Sequence, residues 1–283
     1  VKRLLPLLLV LHTAAFAEDS GFVSVPDMSQ LLYEGEAQKA DLPQDDLIDV
    51  HEVNYLRNKK ASFCMRPTDM VDTIVIHHSE TPSTYTPEDI NAYHLNRGSS
   101  SDPWYMIAYS FVINSPYEGM ALPLPKASVG RPFEIVGAHA GSNIFVPMDS
   151  VQTKLWADKK ILCGKENQVP KFDPTLVKNK KIKANVTTIG IVVNGNYAAY
   201  NGSINPGGYD PTVETRNPTP DTIDMVARLS CQLQKKYPRI KSLAYHNQYH
   251  RTTCPGNFTN YMDTIKQKAK EYGCDFKLLS KRY

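Results

Sequence analysis

Beyond its first twenty residues this 283-residue chain has no apolar run that approaches the length of a membrane-spanning helix, about 20 residues, so no integral membrane segment is expected. Charge of one sign is also scarce. The net charge is +3, from 32 basic and 29 acidic side chains, and no arginine-rich face with interleaved aromatics appears, which argues against a nucleic-acid partner. No internal repeat or low-complexity tract is present, so a repeat architecture is excluded. Cysteine is rare and odd in number: Cys64, Cys163, Cys231, Cys254 and Cys274.

What is present begins with "VKRLLPLLLVLHTAAFA". Lys2 and Arg3 precede an apolar core from Leu4 to Leu11 and a small-residue pattern from Ala15 to Ala17, which reads as a signal peptide over residues 1–17. No cysteine follows that pattern, so a bacterial lipoprotein anchor is not indicated. The expected destination is periplasmic or secreted. Cysteines of an exported chain meet an oxidising compartment and pair, and five of them leave one over. Cys254 is the natural candidate. It stands in "AYHNQYHRTTCPG", residues 244–256, after His246 and His250, a cluster compatible with ordinary packing, half of a disulfide or part of a metal site.

Residues 18–62 are polar and without a sustained period, and read as an extended lead-in to a domain over 63–275, with a short tail at 276–283. The β-branched run in "DTIVIHHS", residues 72–79, predicts a buried strand with His77 and His78 at its C-terminal end. In "TPEDINAYHLNRG", Thr86 reads as an N-cap, Pro87 as the first helical residue, Asp89 as the capping-box partner and Gly98 as the closing residue. Further strands are expected over 104–114, 136–141, 187–197 and 242–246. Further helices are expected from Thr219 to about Tyr237 and from Asn260 to Gly273. This alternation predicts an α/β fold: a single domain with a central mixed β-sheet flanked by helices, with inserted loops. The lysine-rich segment 157–183, within an insertion at 150–186, reads as a solvated loop, the alternative being a contact with an anionic polymer. Three N-x-S/T sequons, at Asn185, Asn201 and Asn257, matter only in a host that glycosylates them.

A catalytic zinc site takes three protein ligands and keeps a fourth position open. His246 and Cys254 supply one nitrogen and one sulfur from one loop, and a third ligand must come from elsewhere. A strand end holds a histidine rigidly, and "IVIHH" offers His77 or His78. Each histidine taken alone is more commonly a surface or hydrogen-bonded residue.

Taken in order, "DTIVIHHS", "IAYSFVIN", "GAHAG", "TTIGIVVNGNY" and "H-x7-CPG" resemble the zinc-dependent N-acetylmuramoyl-L-alanine amidase and peptidoglycan recognition protein superfamily, over roughly residues 70–272. The resemblance implies that Zn2+ is held by His77, His246 and Cys254. Cys64, Cys163, Cys231 and Cys274 then remain for two disulfides, with Cys231–Cys274 favoured because the last two helices are expected to pack together. It further implies that Tyr109 points at the reaction centre, where a phenol can donate to a developing oxyanion. Some relatives carry a lysine where this chain has Thr252, and others a glutamate where it has Val192, so the proton carrier is left open. Thr252 can orient water or donate a hydrogen bond but is a poor base. His78, His94, His139 and His250 are expected to support the ligands or line the cleft, His139 above all in the cleft. The implied activity is cleavage of the bond between N-acetylmuramic acid and L-alanine, with peptidoglycan or muropeptides as partner. A non-catalytic muropeptide-binding module and a zinc amidase acting on another amide are the alternatives.

Overall fold

The computed structural model describes residues 48–280 apart from 49, 54, 82–84, 100–101, 115–123, 142 and 198–216. The expected signal peptide, the lead-in as far as residue 47 and the sequon at Asn201 lie outside the described residues. A seven-stranded sheet contains β1 (Val50–His51), β2 (Thr73–His78), β3 (Phe111–Asn114), β4 (Lys126–Val129), β5 (Thr188–Asn194), β6 (Ser242–Tyr245) and β7 (Lys277–Leu278). Their order is β1-β4-β3-β5-β2-β6-β7. All pairs are parallel except β3 with β4, which makes the sheet mixed.

Every residue of β2 and β5 is buried, so these central strands are apolar without alternation, as expected where both faces of a parallel sheet are covered. Side chains nevertheless alternate between the faces. Ile74 and Ile76 of β2 join Ile189, Ile191 and Val193 of β5 in a core shared with Ile223, Val226, Leu229 and Leu233 of one long helix and Ile265 and Ala269 of the last. Val75 faces the other way, into a core with Ile161, Ile182 and Tyr249, and by the same alternation His77 points to that second face. The longer helices among the described residues are α1 (Pro87–Leu95), α2 (Ser150–Ala157), α3 (Pro220–Lys236) and α4 (Met262–Glu271). Thr86 and Asp89 form the expected capping box of α1, but Asn96 ends that helix, two residues before Gly98.

Two expected strands are shorter or missing. Between Trp104 and Asn114 only Phe111–Asn114 pairs in the sheet. The preceding backbone is held by side chains instead. Asn91 Oδ1 accepts from Ile107 N–H (2.7 Å), His94 Nδ1 accepts from Ala108 N–H (3.2 Å), and Arg131 donates to the carbonyls of Met106 and Ile107. "VGAHAG" forms no strand for the same reason. Asn185 binds Ala140 N–H and Gly141 O, and Arg131 binds Val136 O, so the backbone groups that a sheet would have paired are already satisfied.

The basic insertion is an ordered lobe and not a loop. It holds α2, opened by a capping box of Asp149 and Gln152, and short strands at Leu162–Lys165, Lys171–Phe172, Val177–Lys178 and Lys181–Lys183. Cys163 is tied to Cys64 on the strand Ser62–Met65, directly across the pairing register. The second disulfide is the favoured one, Cys231–Cys274, which joins α3 to the residues after α4. Cys254 is the free cysteine. The end of the segment read as a lead-in also packs on the domain, with Ile48, Tyr55 and Ala61 buried and β1 on the sheet edge. The sequon residues Asn185 and Asn257 are buried. No helix among the described residues is long and apolar enough to cross a membrane.

Arg66 shows how the second face is fastened. Its buried guanidinium donates to the carbonyls of Asn185 (2.6 Å), Val186 (2.8 Å), Thr188 (2.8 Å) and Phe133 (3.3 Å), and the charges of Glu134 and Asp72 favour its ionised form. Burial brings its pKa down to about 9. Arg66→Met should leave these carbonyls without their donor and lower unfolding stability by about 3 kcal/mol or more, read from urea titration with the disulfides intact. A loss below 1 kcal/mol, the scale of one ordinary hydrogen bond, would show that the carbonyls find other partners.

Candidate active site

The C-terminal ends of two neighbouring parallel strands bring the first two site residues together. His77 is the penultimate residue of β2, and Tyr245 of β6 is paired with Ile76, so His246 follows level with His77. The chain after His246 curls back: Tyr249 N–H and His250 N–H both donate to His246 O (2.9 and 3.1 Å), and Asn247 N–H donates to Cys254 O (3.0 Å). This closed loop returns Cys254 to the strand ends. One donor atom each from His77, His246 and Cys254 lies within 4.8 Å of the other two, and Cys254 Sγ is 3.6 Å from His77 Nδ1.

These residues fit zinc. Bonds of about 2.0–2.3 Å in a tetrahedron separate ligand atoms by about 3.3–3.8 Å, a range that includes the 3.6 Å between Cys254 Sγ and His77 Nδ1. His246 Nε2 is buried without a hydrogen-bond partner among the described residues, a costly state that a metal would relieve. Burial holds His77 well below the usual imidazole range and brings His246 down to about 4, so both are neutral near pH 7 with a lone pair to give. Burial also pushes the Cys254 thiol far above its ordinary value, so the thiolate needs a positive charge beside it.

His139 sets the tautomer of His77. Its Nε2 lies 3.3 Å from Thr188 O, which can only accept, so Nε2 carries the proton. Burial brings His139 down to about 3, so it is neutral and its Nδ1 is an acceptor. That atom is 3.2 Å from His77 Nε2, which must donate. His77 Nδ1, the nitrogen that faces Cys254, is left with its lone pair. His139 was expected in the cleft; it is 3 % exposed and lies behind His77 instead. Gly190 makes room for it: a Cβ there would sit 3.0 Å from the His139 ring and 3.2 Å from that of Tyr109.

The Tyr109 ring centroid is 5.0 Å from that of His77 and 5.4 Å from that of His94. Burial raises its pKa, which keeps the phenol protonated and able to donate. Thr252 Oγ1 accepts from Cys254 N–H at 3.2 Å, which ties it to the thiol-bearing backbone. His78 accepts from Tyr197 N–H on Nδ1 (3.0 Å), and its own N–H donates to Cys254 Sγ (3.4 Å). His250 is exposed, with its ring 6.2 Å from that of His246. One residue that no motif announced joins them: Glu80 Oε1 lies 3.3 Å from His78 Nε2 and accepts from Thr253 Oγ1 at 3.1 Å. A lone acid after a strand has no spacing signature, and only its place directly after "HHS" could have drawn notice.

The arrangement defines an α/β domain with two histidines and a cysteine that could hold a metal at the C-terminal ends of its central parallel strands. The family described as N-acetylmuramoyl-L-alanine amidase matches residues 67–257, and the chain belongs to that family. No curated protein matches it. Among solved structures it is similar to the endolysin and N-acetylmuramoyl-L-alanine amidase LysCS of Clostridium intestinale, at 23% identity over 78% of this chain and 95% of that one, with a TM-score of 0.44. It is also similar to the bumblebee recognition protein PGRP-SA, at 16% identity over 76% and 96% of the two chains, with a TM-score of 0.42. A third is Drosophila PGRP-LB in complex with tracheal cytotoxin, at 23% identity over 68% and 79%, with a TM-score of 0.37.

The buried neutral histidines make acid a specific stress. Burial pushes His94 and His139 down to about 3 in the folded chain, against about 6.5 for an unperturbed imidazole in the unfolded one. Below pH 6.5 the unfolded chain therefore binds protons that the folded chain refuses, and stability falls steadily down to about pH 3. Urea midpoints of chelator-treated protein should decline over that window, and His94→Gln should flatten the decline. A midpoint constant from pH 6.5 to 4 would contradict the neutral assignments.

Proposed function

We propose that this protein uses zinc to hydrolyse the amide that joins the lactyl group of N-acetylmuramic acid to L-alanine, acting on peptidoglycan or its muropeptide fragments outside the cytoplasm. The observation that carries this reading is the convergence of two neutral imidazoles and one thiol at the strand ends of a chain that belongs to the amidase family. Two disulfides accord with an exported protein, in which residues 1–17 are a cleaved signal and 63–275 the amidase domain.

The metal, when bound, supplies a Lewis acid that activates water and polarises the scissile carbonyl. The protein groups do the rest. His139 fixes the ring of His77 so that Nδ1 faces the centre. Thr252 steadies the Cys254 backbone, and the His78 N–H bonds the sulfur. Tyr109, a neutral phenol beside His77, donates to the carbonyl oxygen as negative charge gathers on it, a bond stronger in the transition state than before it.

Digestion of purified peptidoglycan with mass analysis of the released ends tests the reading. Stem peptides with free L-alanine amino termini should appear, vanish with a chelator and return with zinc. Binding without release would make the protein a muropeptide-binding module, and other new termini would assign another amide. Tyr109→Phe should keep zinc and muropeptide affinity while turnover falls by about a hundredfold, the usual effect of deleting one oxyanion donor. Unchanged turnover would remove Tyr109 from the mechanism.

A further inference from the structure

Amide hydrolysis needs a proton carrier, because the attacking water must lose a proton and the amide nitrogen must gain one before it leaves. Neither position where relatives place such a group can do this here. Val192 is fully buried on β5 beside His77, packed in an apolar core. The Thr252 hydroxyl oxygen is bonded to Cys254 N–H, and an alcohol is a poor base near neutral pH.

Glu80 lies near this centre by another route: it contacts Thr253, and its charge is felt by His246, Cys254 and Tyr109. After β2 the chain does not continue extended: Glu80 has φ +56°, a left-handed conformation that non-glycine residues rarely adopt. The turn is held from several sides. Ser79 N–H donates to Val193 O and Glu80 N–H to Gly195 O (both 3.2 Å), while Ser79 Oγ and Thr81 Oγ1 both bond Asn194 Oδ1 (2.8 and 2.9 Å). Gly195 N–H donates in turn to Ser79 Oγ (2.8 Å). Such over-determination is how an unfavourable backbone conformation is kept at a working site.

The turn places the Glu80 carboxylate between the immediate neighbours of two ligand residues: His78, which follows His77, and Thr253, which precedes Cys254. The His78 tautomer is defined, since its Nδ1 accepts from Tyr197 N–H and its Nε2 must then carry the proton that faces Glu80 Oε1 at 3.3 Å. At that distance the contact is an approach of charge to dipole more than an aligned hydrogen bond. Both described contacts of the carboxylate fall on Oε1, so Oε2 is the oxygen available for a proton.

Resting on the amidase reading above, we propose that Glu80 is the proton carrier of the hydrolysis. Its carboxylate takes one proton from the attacking water as the water oxygen bonds to the carbonyl carbon. It returns that proton to the amide nitrogen as the carbon–nitrogen bond breaks. The products are a carboxylic acid and an amine, and water is the sole co-reactant. The contact with His78, aided by Thr253, holds the Glu80 carboxyl below its usual range, so the group starts ionised and readily gives up a proton it has taken.

Glu80→Gln keeps an oxygen for His78 and Thr253 but cannot carry the proton. Turnover on peptidoglycan should fall by on the order of a thousandfold, within the range of lost acid–base catalysis, while zinc content and muropeptide Kd stay at wild-type values. Glu80→Ala should lose activity equally and regain part of it with added formate, which a residue that only positions His78 would not show. Turnover of Glu80→Gln within threefold of wild type overturns the proposal, as does loss of zinc by that variant, which would make Glu80 a support of the metal site. A wild-type protein that releases no L-alanine termini overturns the amidase reading itself, a result separable from both.

Discussion

The site depends on one constraint: His77 is fully buried at the end of a central strand, and both of its nitrogens must find a partner there. The sheet decides which nitrogen goes where. β5, parallel to β2, carries Gly190, whose missing side chain admits the His139 ring, and Thr188, whose carbonyl fixes the His139 proton. The proton order Thr188–His139–His77 then leaves one lone pair directed at the thiol. On the other side β6 brings His246 level with His77, so the parallel register serves both to bury the histidine and to set a second imidazole beside it.

Burial works in two directions at this centre. It strips the imidazoles of their protons, which prepares them as ligands, and it holds the thiol protonated, which does not. Three neutral donors in an apolar setting make a site whose thiolate form needs a cation, so under the proposed zinc binding metal uptake and proton release would be one event. The same low-polarity surroundings keep Tyr109 protonated. The carboxylate of Glu80, partly exposed at the edge, is the anion placed next to this neutral set.

Much of this was legible in the residues, for reasons that are local. The β-branched run at Thr73–Ile76 could be little other than a buried strand, and α3 declared itself through Ile223, Val226, Leu229 and Leu233. That His77, His246 and Cys254 come together was legible because imidazole and thiol at the ends of ordered motifs suit one kind of chemistry. What escaped depends on distant partners. "VGAHAG" looks like a strand until Asn185 and Arg131 take its backbone groups, and the lysine-rich insertion looks like a loop until Cys64 pins Cys163 across a register. His139 could not be placed behind His77 without knowing that Gly190 leaves the space. Glu80 was invisible because its position follows from a left-handed turn, which no residue type there announces.

The proposed zinc site holds one metal through two nitrogens, from His77 and His246, and one sulfur, from Cys254. X-ray absorption at the zinc edge on stoichiometrically loaded protein reads this directly. The account predicts a single sulfur at about 2.3 Å with the remaining shell of nitrogen and oxygen near 2.0–2.1 Å, and loss of the sulfur contribution in Cys254→Ser. A first shell that contains no sulfur in the wild-type protein would contradict it.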